Sequence, residues 1–314
     1  MDGSEKHFDI ALLGEAMVEF NQTEQAGGKL YLQGFGGDTS NFAIAAARQG
    51  VKVAYVSALG DDPYGRMLRA LWDEEAVDHA SVRVNPDVYT AVYFVTHDGQ
   101  GHHFQFFRQG SAASRMRPAD LPRGILERAR VLHVSGISLA ISQTASDTVF
   151  EAAAIARRAG AKISFDTNLR QRLWSVDRAR TVMTEFMRQC DICLPSFDDV
   201  AVITGLNEPE AIVDHCLGLG AGVVALKLGE NGALVADADE RHWIAPHRCR
   251  PVDATGAGDT FGGAFVARLI AGDDLLAAGR YASVAAALST EGFGAVEPIP
   301  GADRVRSALR PATD

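Results

Sequence analysis

Short runs rich in β-branched and aliphatic residues, at 10–13, 53–56, 131–134, 163–165, 192–194 and 223–226, alternate along the chain with helical patterns. The helical patterns lie at 41–49, 64–74, 145–159, 178–187 and 210–217, followed by 260–271 and 275–288. This rhythm constrains the fold more than any other feature. Strands that are apolar on both sides, each leading into a helix, belong to a parallel sheet covered by helices on both faces. The expected class is α/β, with a doubly wound, mostly parallel sheet flanked by helices. Glycines and polar residues follow the strands at Gly14-Glu15, Gly60-Asp61, Ser135-Gly136, Asp166-Thr167-Asn168, Ser196 and Lys227-Leu228-Gly229. In open α/β sheets that end of the strands binds ligands. The 314 residues suit one large domain, and no repeat or linker composition divides them, so 1–314 reads as a single domain.

One region breaks the alternation. Runs at 90–96 and 102–107 are strand-like, are separated by His97-Asp98-Gly99-Gln100-Gly101, and lead into no helix. Joined by the segment 20–35, this hairpin predicts a small β-rich lid inserted near 15–35 and 89–110; an ordinary edge hairpin is the alternative. Unpaired lid edges would suit a homo-oligomer. His102-His103, near the hairpin tip, has no further ligands at metal spacing and reads as solvated.

Composition excludes several classes of function. With 30 basic against 40 acidic residues the formal charge is −10, which argues against a nucleic-acid surface and leaves any anionic ligand dependent on local cations. Cys190 and Cys193 have redox or metal spacing, but no second pair matches them. Asp191-Ile192-Cys193-Leu194 instead reads as a buried strand leading to Pro195, and its thiols as structural ones in a reducing compartment. The start, MDGSEKHFDIALLG, lacks a basic n-region and a long apolar run, and no stretch approaches a membrane span. A cytoplasmic location with no membrane partner is expected.

The chemistry is concentrated in PVDATGAGDTFGGAF, from Pro251 to Phe265. Gly256 and Gly258 let backbone approach an anion, and the amides of Gly256, Ala257 and Gly258 would be open donors at a helix N-terminus. Phe261, Phe265, Val266, Leu269 and Ile270 supply an apolar helix stripe behind them. Asp259 then falls in the first turn, where a carboxylate can take a proton from a hydroxyl attacking a phosphoryl group. Its blander role would be to complement the helix dipole. A second motif, Gly36-Gly37-Asp38-Thr39-Ser40-Asn41, precedes another helical pattern. Asp38, Thr39 or Ser40 would serve as an N-cap, while the glycines and Asn41 suit recognition of several hydroxyls. Neither GxGxxG nor GxxxxGK[ST] is completed anywhere, which disfavours a Rossmann dehydrogenase and a P-loop kinase.

Taken together, FGGDTSNFAIAAARQG, ALGDDPYGRML, KLGENGALV and DATGAGDTFGGAF resemble, in order, the signatures of the ribokinase-like (PfkB) family of carbohydrate kinases, over nearly the whole chain. Within it, FFRQGSAAS at 106–114 and FDTNLRQRLW at 165–174 look most like 2-keto-3-deoxygluconate kinase. The resemblance implies a ribokinase-like fold and transfer of phosphate from ATP, with Mg2+ and in some members K+. It implies Asp259 as base, and Gly256, Ala257 and Gly258 as an anion hole. Lys227, Gly229, Gly232, Thr255, Gly256 and Gly258 would face nucleotide, and Asp253 and Thr255 a monovalent cation. Gly36, Gly37, Asp38, Asn41, Tyr93, Phe106, Arg108 and Arg170 would line the sugar pocket. The arginines suit a carboxylate, which guanidinium groups grip through paired hydrogen bonds. Two positions depart from the pattern. Phe106 stands where some of these kinases have a substrate-contacting tyrosine. Ser196-Phe197-Asp198-Asp199 replaces NxxE, leaving Asp199 as a shorter carboxylate acting indirectly on Mg2+.

The function expected is ATP-dependent phosphorylation of a small sugar acid, 2-keto-3-deoxygluconate at its terminal hydroxyl. A neutral-sugar kinase of the fructokinase or ribokinase type, a nucleoside kinase, and a sugar-binding regulator without catalysis are the alternatives.

Overall fold

The computed structural model describes residues 6–23, 25–98 and 101–310. The first five residues of the N-terminal reading, Gly99 and Gln100 of the hairpin turn, and the His102 side chain lie outside the described residues.

The large sheet runs in the order Arg241–Ile244, Ala233–Ala236, Val223–Lys227, Ile192–Leu194, Lys162–Asp166, Ala129–Ser135, Phe8–Leu13, Val53–Val56, Val77–Asp78. All its neighbours pair in parallel except the hairpin at one edge, where Ala233–Ala236 is antiparallel to both strands beside it. Alternation along the strands feeds two cores. Ala11, Leu13, Leu132 and Val134 meet Val149, Phe186, Val200 and Ile212 of the helices on one face. Ile10, Leu12 and Val131 meet Phe42, Leu68, Phe265 and Ala282 on the other. The doubly wound expectation holds, with one addition. The edge hairpin was not among the expected strands; its outer strand, Arg241–Ile244, carries only Trp243 and Ile244 as apolar residues.

A second sheet has the order Tyr31–Gly36, Met17–Gln22, Val92–Asp98, Gly101–Phe107. The chain enters it straight from the first core strand, pairing Val18 with Val92 in parallel, so the expected small β sheet beside the α/β body is present. Met17, Tyr93, Val95 and Phe104 form its own small apolar cluster. His103 pairs with Asp98 at 2.9 Å.

Two helix starts differ from expectation. The helix expected from residue 41 begins at Asp38, and the one expected from 260 begins at Ala257. Neither uses a side-chain cap. Gly37, at φ 106°, and Gly256, at φ 77°, take the cap positions instead, because the turns demand a left-handed backbone. Asp38, Thr39, Ser40 and Asn41 are therefore buried first-turn residues rather than caps. Cys190, Cys193 and Cys216 are buried free thiols, with the Cys193 thiol pushed up by hydrogen bonds from the other two and by burial. Among the described residues no helix is long and apolar enough to cross a membrane.

Candidate active site

The Asp38 and Ala257 helices lie side by side on one face of the large sheet, and glycines bring them close. A Cβ on Gly262 would stand 2.7 Å from the Phe42 ring, and one on Gly263 would stand 2.6 Å from the Phe42 carbonyl oxygen. Beneath them the Phe42 ring stacks on His133 with centroids 3.6 Å apart, and His133 Nδ1 lies 2.9 Å from Ser164 Oγ. Burial holds that imidazole neutral, far below its ordinary range. The close approach brings Asn41 Nδ2 to donate to Asp259 Oδ2 at 2.8 Å, across 218 positions of sequence. The other end of this amide, Asn41 Oδ1, is a buried acceptor with no partner.

Asp259 is half-buried, and its carboxyl is pushed up to about 8. Burial contributes most and repulsion from Asp38 next, with Asp166 adding to it. The Asn41 hydrogen bond and the Lys227 charge oppose the rise. Asp38 is itself raised by burial, against the hydrogen bonds of Ser135 and Thr39 and the charges of Arg108 and Arg170. Such a carboxyl is better matched to accepting a proton near neutrality than an ordinary aspartate.

The phosphate side is an open helix start. The amides of Gly256 and Gly258 have no acceptor among the described residues, whereas Ala257 N turns back to Ala254 O at 3.2 Å. The expected three-amide nest is thus two open amides and one engaged in its own turn. Lys227 enters from the end of its strand: a Cβ on Gly258 would be 3.6 Å from Lys227 Nζ. Asp166 Oδ2 accepts from the same ammonium at 2.5 Å. Asp199 Oδ2 accepts from Thr167 Oγ1 at 3.1 Å and Leu169 N at 3.0 Å, pinning the loop after Asp166. Burial raises this carboxyl too. Asp253 Oδ1 accepts from Thr255 N and Oγ1 at 2.9 and 2.6 Å, and Oδ2 from Gly294 N at 2.9 Å, so this carboxylate first of all ties down the loop entering the helix. Gly229 sits in open space, while a Cβ on Gly232 would overlap the Ile244 carbonyl oxygen at 2.0 Å. Gly232 is thereby required by the edge hairpin whatever it does for nucleotide.

On the sugar side the expected residues come with partners that the sequence reading did not supply. Glu15, at 1% exposure, accepts from Arg108 Nε at 2.8 Å and from Ser111 Oγ at 2.6 Å. Arg108 Nη2 lies 2.6 Å from Glu15 Oε2 but finds no aligned acceptor. Tyr93 donates to Glu19 Oε2 at 2.5 Å, and its hydroxyl would lie 2.5 Å from a Cβ on Gly36, which accounts for glycine there. Burial and the Glu19 charge raise the Tyr93 hydroxyl far above its ordinary value. Phe106 stacks on Tyr93 at 5.3 Å and carries the Arg108 guanidinium 5.7 Å from its ring centre. Arg170 is exposed and, among the described residues, donates only to Leu169 O, at 3.0 Å. A cavity of about 750 Å³ lies nearby, and Asp259 is not among its lining residues. It lies between Glu19, Val95 and Phe104 of the small sheet and Val252, Asp253, Thr255 and Phe293, next to the start of the Ala257 helix.

The pfkB family carbohydrate kinase signature matches residues 8–302. The chain belongs to the pfkB family. Fructokinase-1 of Oryza sativa subsp. japonica is 32% identical over 93% of this chain and 94% of its own length. The 2-dehydro-3-deoxygluconokinase of Thermoproteus tenax is 30% identical over 98% and 96%. A putative ribokinase II from E. coli, solved in complex with ATP and Mg2+, superposes with a TM-score of 0.89 at 26% identity, over 96% of this chain and 99% of that one. This pfkB protein is therefore a carbohydrate kinase that phosphorylates a sugar with ATP.

Its residues fit ATP and Mg2+. The two open amides and Lys227 make a cradle for phosphate oxygens that a side chain at 258 would crowd. Asp199 Oδ1, which takes neither of the two hydrogen bonds above, is the carboxylate oxygen that would be available to a hydrated metal ion. Mg2+ supplies neutralisation of phosphate charge. Glu15, Glu19, Asp166, Gly262 and Gly263 were the residues missed. Glu15 and Asp166 carried a signal, a carboxylate at or just past the end of a core strand. The other three become meaningful only once distant segments are brought together.

Proposed function

We propose that this kinase phosphorylates a small sugar acid of the 2-keto-3-deoxygluconate type at its terminal primary hydroxyl. The observation that carries the reading is Arg170: an exposed guanidinium with no carboxylate partner among the described residues, near enough to act on buried Asp38 at the start of the sugar-side helix. The orphaned acceptor Asn41 Oδ1 adds a partner for a hydroxyl group. The substrate oxygen attacks the terminal phosphorus, the bond from that phosphorus to the bridging oxygen breaks, and Asp259 takes the proton. Positioning and charge neutralisation provide most of the acceleration, because a loose transition state needs little early deprotonation. A monovalent cation at Asp253 and Thr255, and association of copies through the edges of the small sheet, belong to the same proposal.

A second reading, a neutral-sugar kinase of the fructokinase type, is favoured by Glu15. Its buried carboxylate already balances Arg108, so one of the two expected carboxylate-binding cations carries no spare charge. ADP release measured across ketodeoxygluconate, ketodeoxygalactonate, fructose, ribose and adenosine separates the readings. The sugar-acid reading expects the highest kcat/KM for a ketodeoxy acid, and a loss of about 100-fold in Arg170→Ala for acids only. Fructose as the best substrate, with Arg170→Ala impairing acids and neutral sugars alike, would overturn it. Glu15→Gln tests the same balance, since freeing the Arg108 charge should favour acids over fructose.

A further inference from the structure

We propose that Lys227 is a catalytic residue that bridges Asp166 and the transferring phosphoryl group, with Asp166 as the positioning residue that holds it. This rests on the kinase reading and goes beyond it, because nucleotide binding requires no such pair. Lys227 closes the strand Val223–Lys227 and Asp166 closes Lys162–Asp166, with Ile192–Leu194 between them. The pair therefore spans a strand at the ligand-binding end of the sheet. Both side chains are nearly buried, at 11% and 4% exposure, so their attraction is little screened by solvent.

The position of the ammonium is the decisive fact. Held 2.5 Å from Asp166, it also stands beside the first turn of the Ala257 helix, at 3.6 Å from where a side chain on Gly258 would begin. A group seated on the open amides of Gly256 and Gly258 thus meets a cation as well as donors. An ammonium has three donors on one point charge, so it can keep one on Asp166 and direct another to a phosphoryl oxygen. Asp166 is suited to the holding role. Its Oδ1 accepts from Asn168 N at 3.2 Å, in a turn where Asn168 takes φ 31°, and the loop is fixed by Asp199. During transfer Lys227 exchanges no proton. It balances charge on the three phosphoryl oxygens as the bond to the bridging oxygen breaks and the sugar oxygen bonds to phosphorus, while Asp259 takes the hydroxyl proton.

The pair also acts on the base. Asp259 faces Asp38 and Asn41 from the neighbouring helix, Tyr93 from the small sheet, and Asp166 and Lys227 from the strand ends. Lys227 is the cation in this set and Asp166 one of its anions. Lys227→Met should lower kcat about 100- to 1000-fold, with the sugar KM changed less than about threefold, and should move the ascending limb of kcat/KM, set by Asp259, to higher pH. Asp166→Asn should move that limb to lower pH. A purely structural pair would move neither limb, and both variants would lose melting temperature together. Lys227→Met turnover within about threefold of the parent, or unmoved limbs in both variants, overturns the proposal. Affinity for the non-hydrolysable analogue AMP-PNP with Mg2+ provides a readout free of turnover. About tenfold weaker binding in folded Lys227→Met supports contact with phosphate, and unchanged binding refutes it. If the parent protein phosphorylates no sugar, the kinase reading fails on its own, and the analogue titration still judges Lys227.

Discussion

Two helices of this protein begin on a glycine with a left-handed backbone, and they put that shared grammar to different uses. After Gly37 the side chains of the first turn are sealed in contacts, although the Asp38 and Ser40 amides find no backbone acceptor among the described residues: Thr39 bonds Tyr55 at 2.8 Å, Ser40 accepts from Trp72 at 3.0 Å, and Asn168 Nδ2 reaches Asp38 at 3.4 Å. After Gly256 the first turn is left open, with two amides unspent and an ammonium beside them. The sealed turn is a rigid surface that presents Asn41; the open one is an anion seat that presents Asp259. In the proposed mechanism, catalysis lies in the contact between them. An open helix start is safe only if its neighbour fixes its position, and the sealed start provides that.

The comparison is broken most severely by Asp259→Asn. Removing the base should cost 10²- to 10⁴-fold in kcat, on the order of 3 to 5 kcal/mol of barrier, with sugar binding retained. Single-turnover kinetics with a binding titration would show it, and near-normal turnover would remove Asp259 from its role. In the parent, kcat/KM should rise with pH through about 8 as the Asp259 carboxyl ionises in the free enzyme, and the variant should lack that limb. Stability should move the opposite way. Below the unfolded value, near pH 4, both states hold the proton and the group contributes nothing. Between there and about 8 only the unfolded state is ionised, so unfolding releases a proton and ligand-free stability falls as pH rises. Asp259→Asn should therefore melt higher than the parent at pH 8, with the difference closing toward pH 4.

Gly37→Ala attacks the sealed start. Its Cβ would lie 2.4 Å from the Glu15 carbonyl oxygen at φ 106°, so a loss on the order of 3 kcal/mol is expected in urea unfolding. Gly256→Ala attacks the open start more gently, with 2.9 Å to the Ala295 carbonyl oxygen. About 1 to 2 kcal/mol of stability should go, but nucleotide affinity should fall further than in any sealed-start variant of equal stability. The smallest effect is expected from Trp72→Phe, which breaks the Ser40 bond: about 1 kcal/mol in thermal melting, with kcat within twofold. A large kcat loss there would mean that the sealed turn does more than hold shape.

Much of this was legible in the sequence, and the parts that were not share a cause. Period and apolarity announced the parallel strands and the helices on both faces, because those signals are local. The glycines and Asp259 suggested the proposed phosphate seat for the same reason. The Asn41 contact with Asp259, the neutralisation of Arg108 by Glu15 and the holding of Lys227 by Asp166 are products of tertiary packing, and no spacing rule encodes them. Capping was misjudged because Asp38, Thr39 and Ser40 are good caps in isolation. Burial of all three, and of Asn41, overrode that local preference. The second glycine pair, Gly262-Gly263, was given no role in the sequence and provides clearance for Phe42.

That clearance has a wider consequence. In the proposed mechanism the gap between the two helices acts as a fixed gauge: it sets where an attacking oxygen must stand relative to the base, independently of the rest of the substrate. Glu19, Tyr93, Phe106 and Arg108 come from or adjoin a separate sheet. Selection on such a molecule can exchange one polyol for another by altering that sheet, while the gauge and the chemistry it times stay as they are.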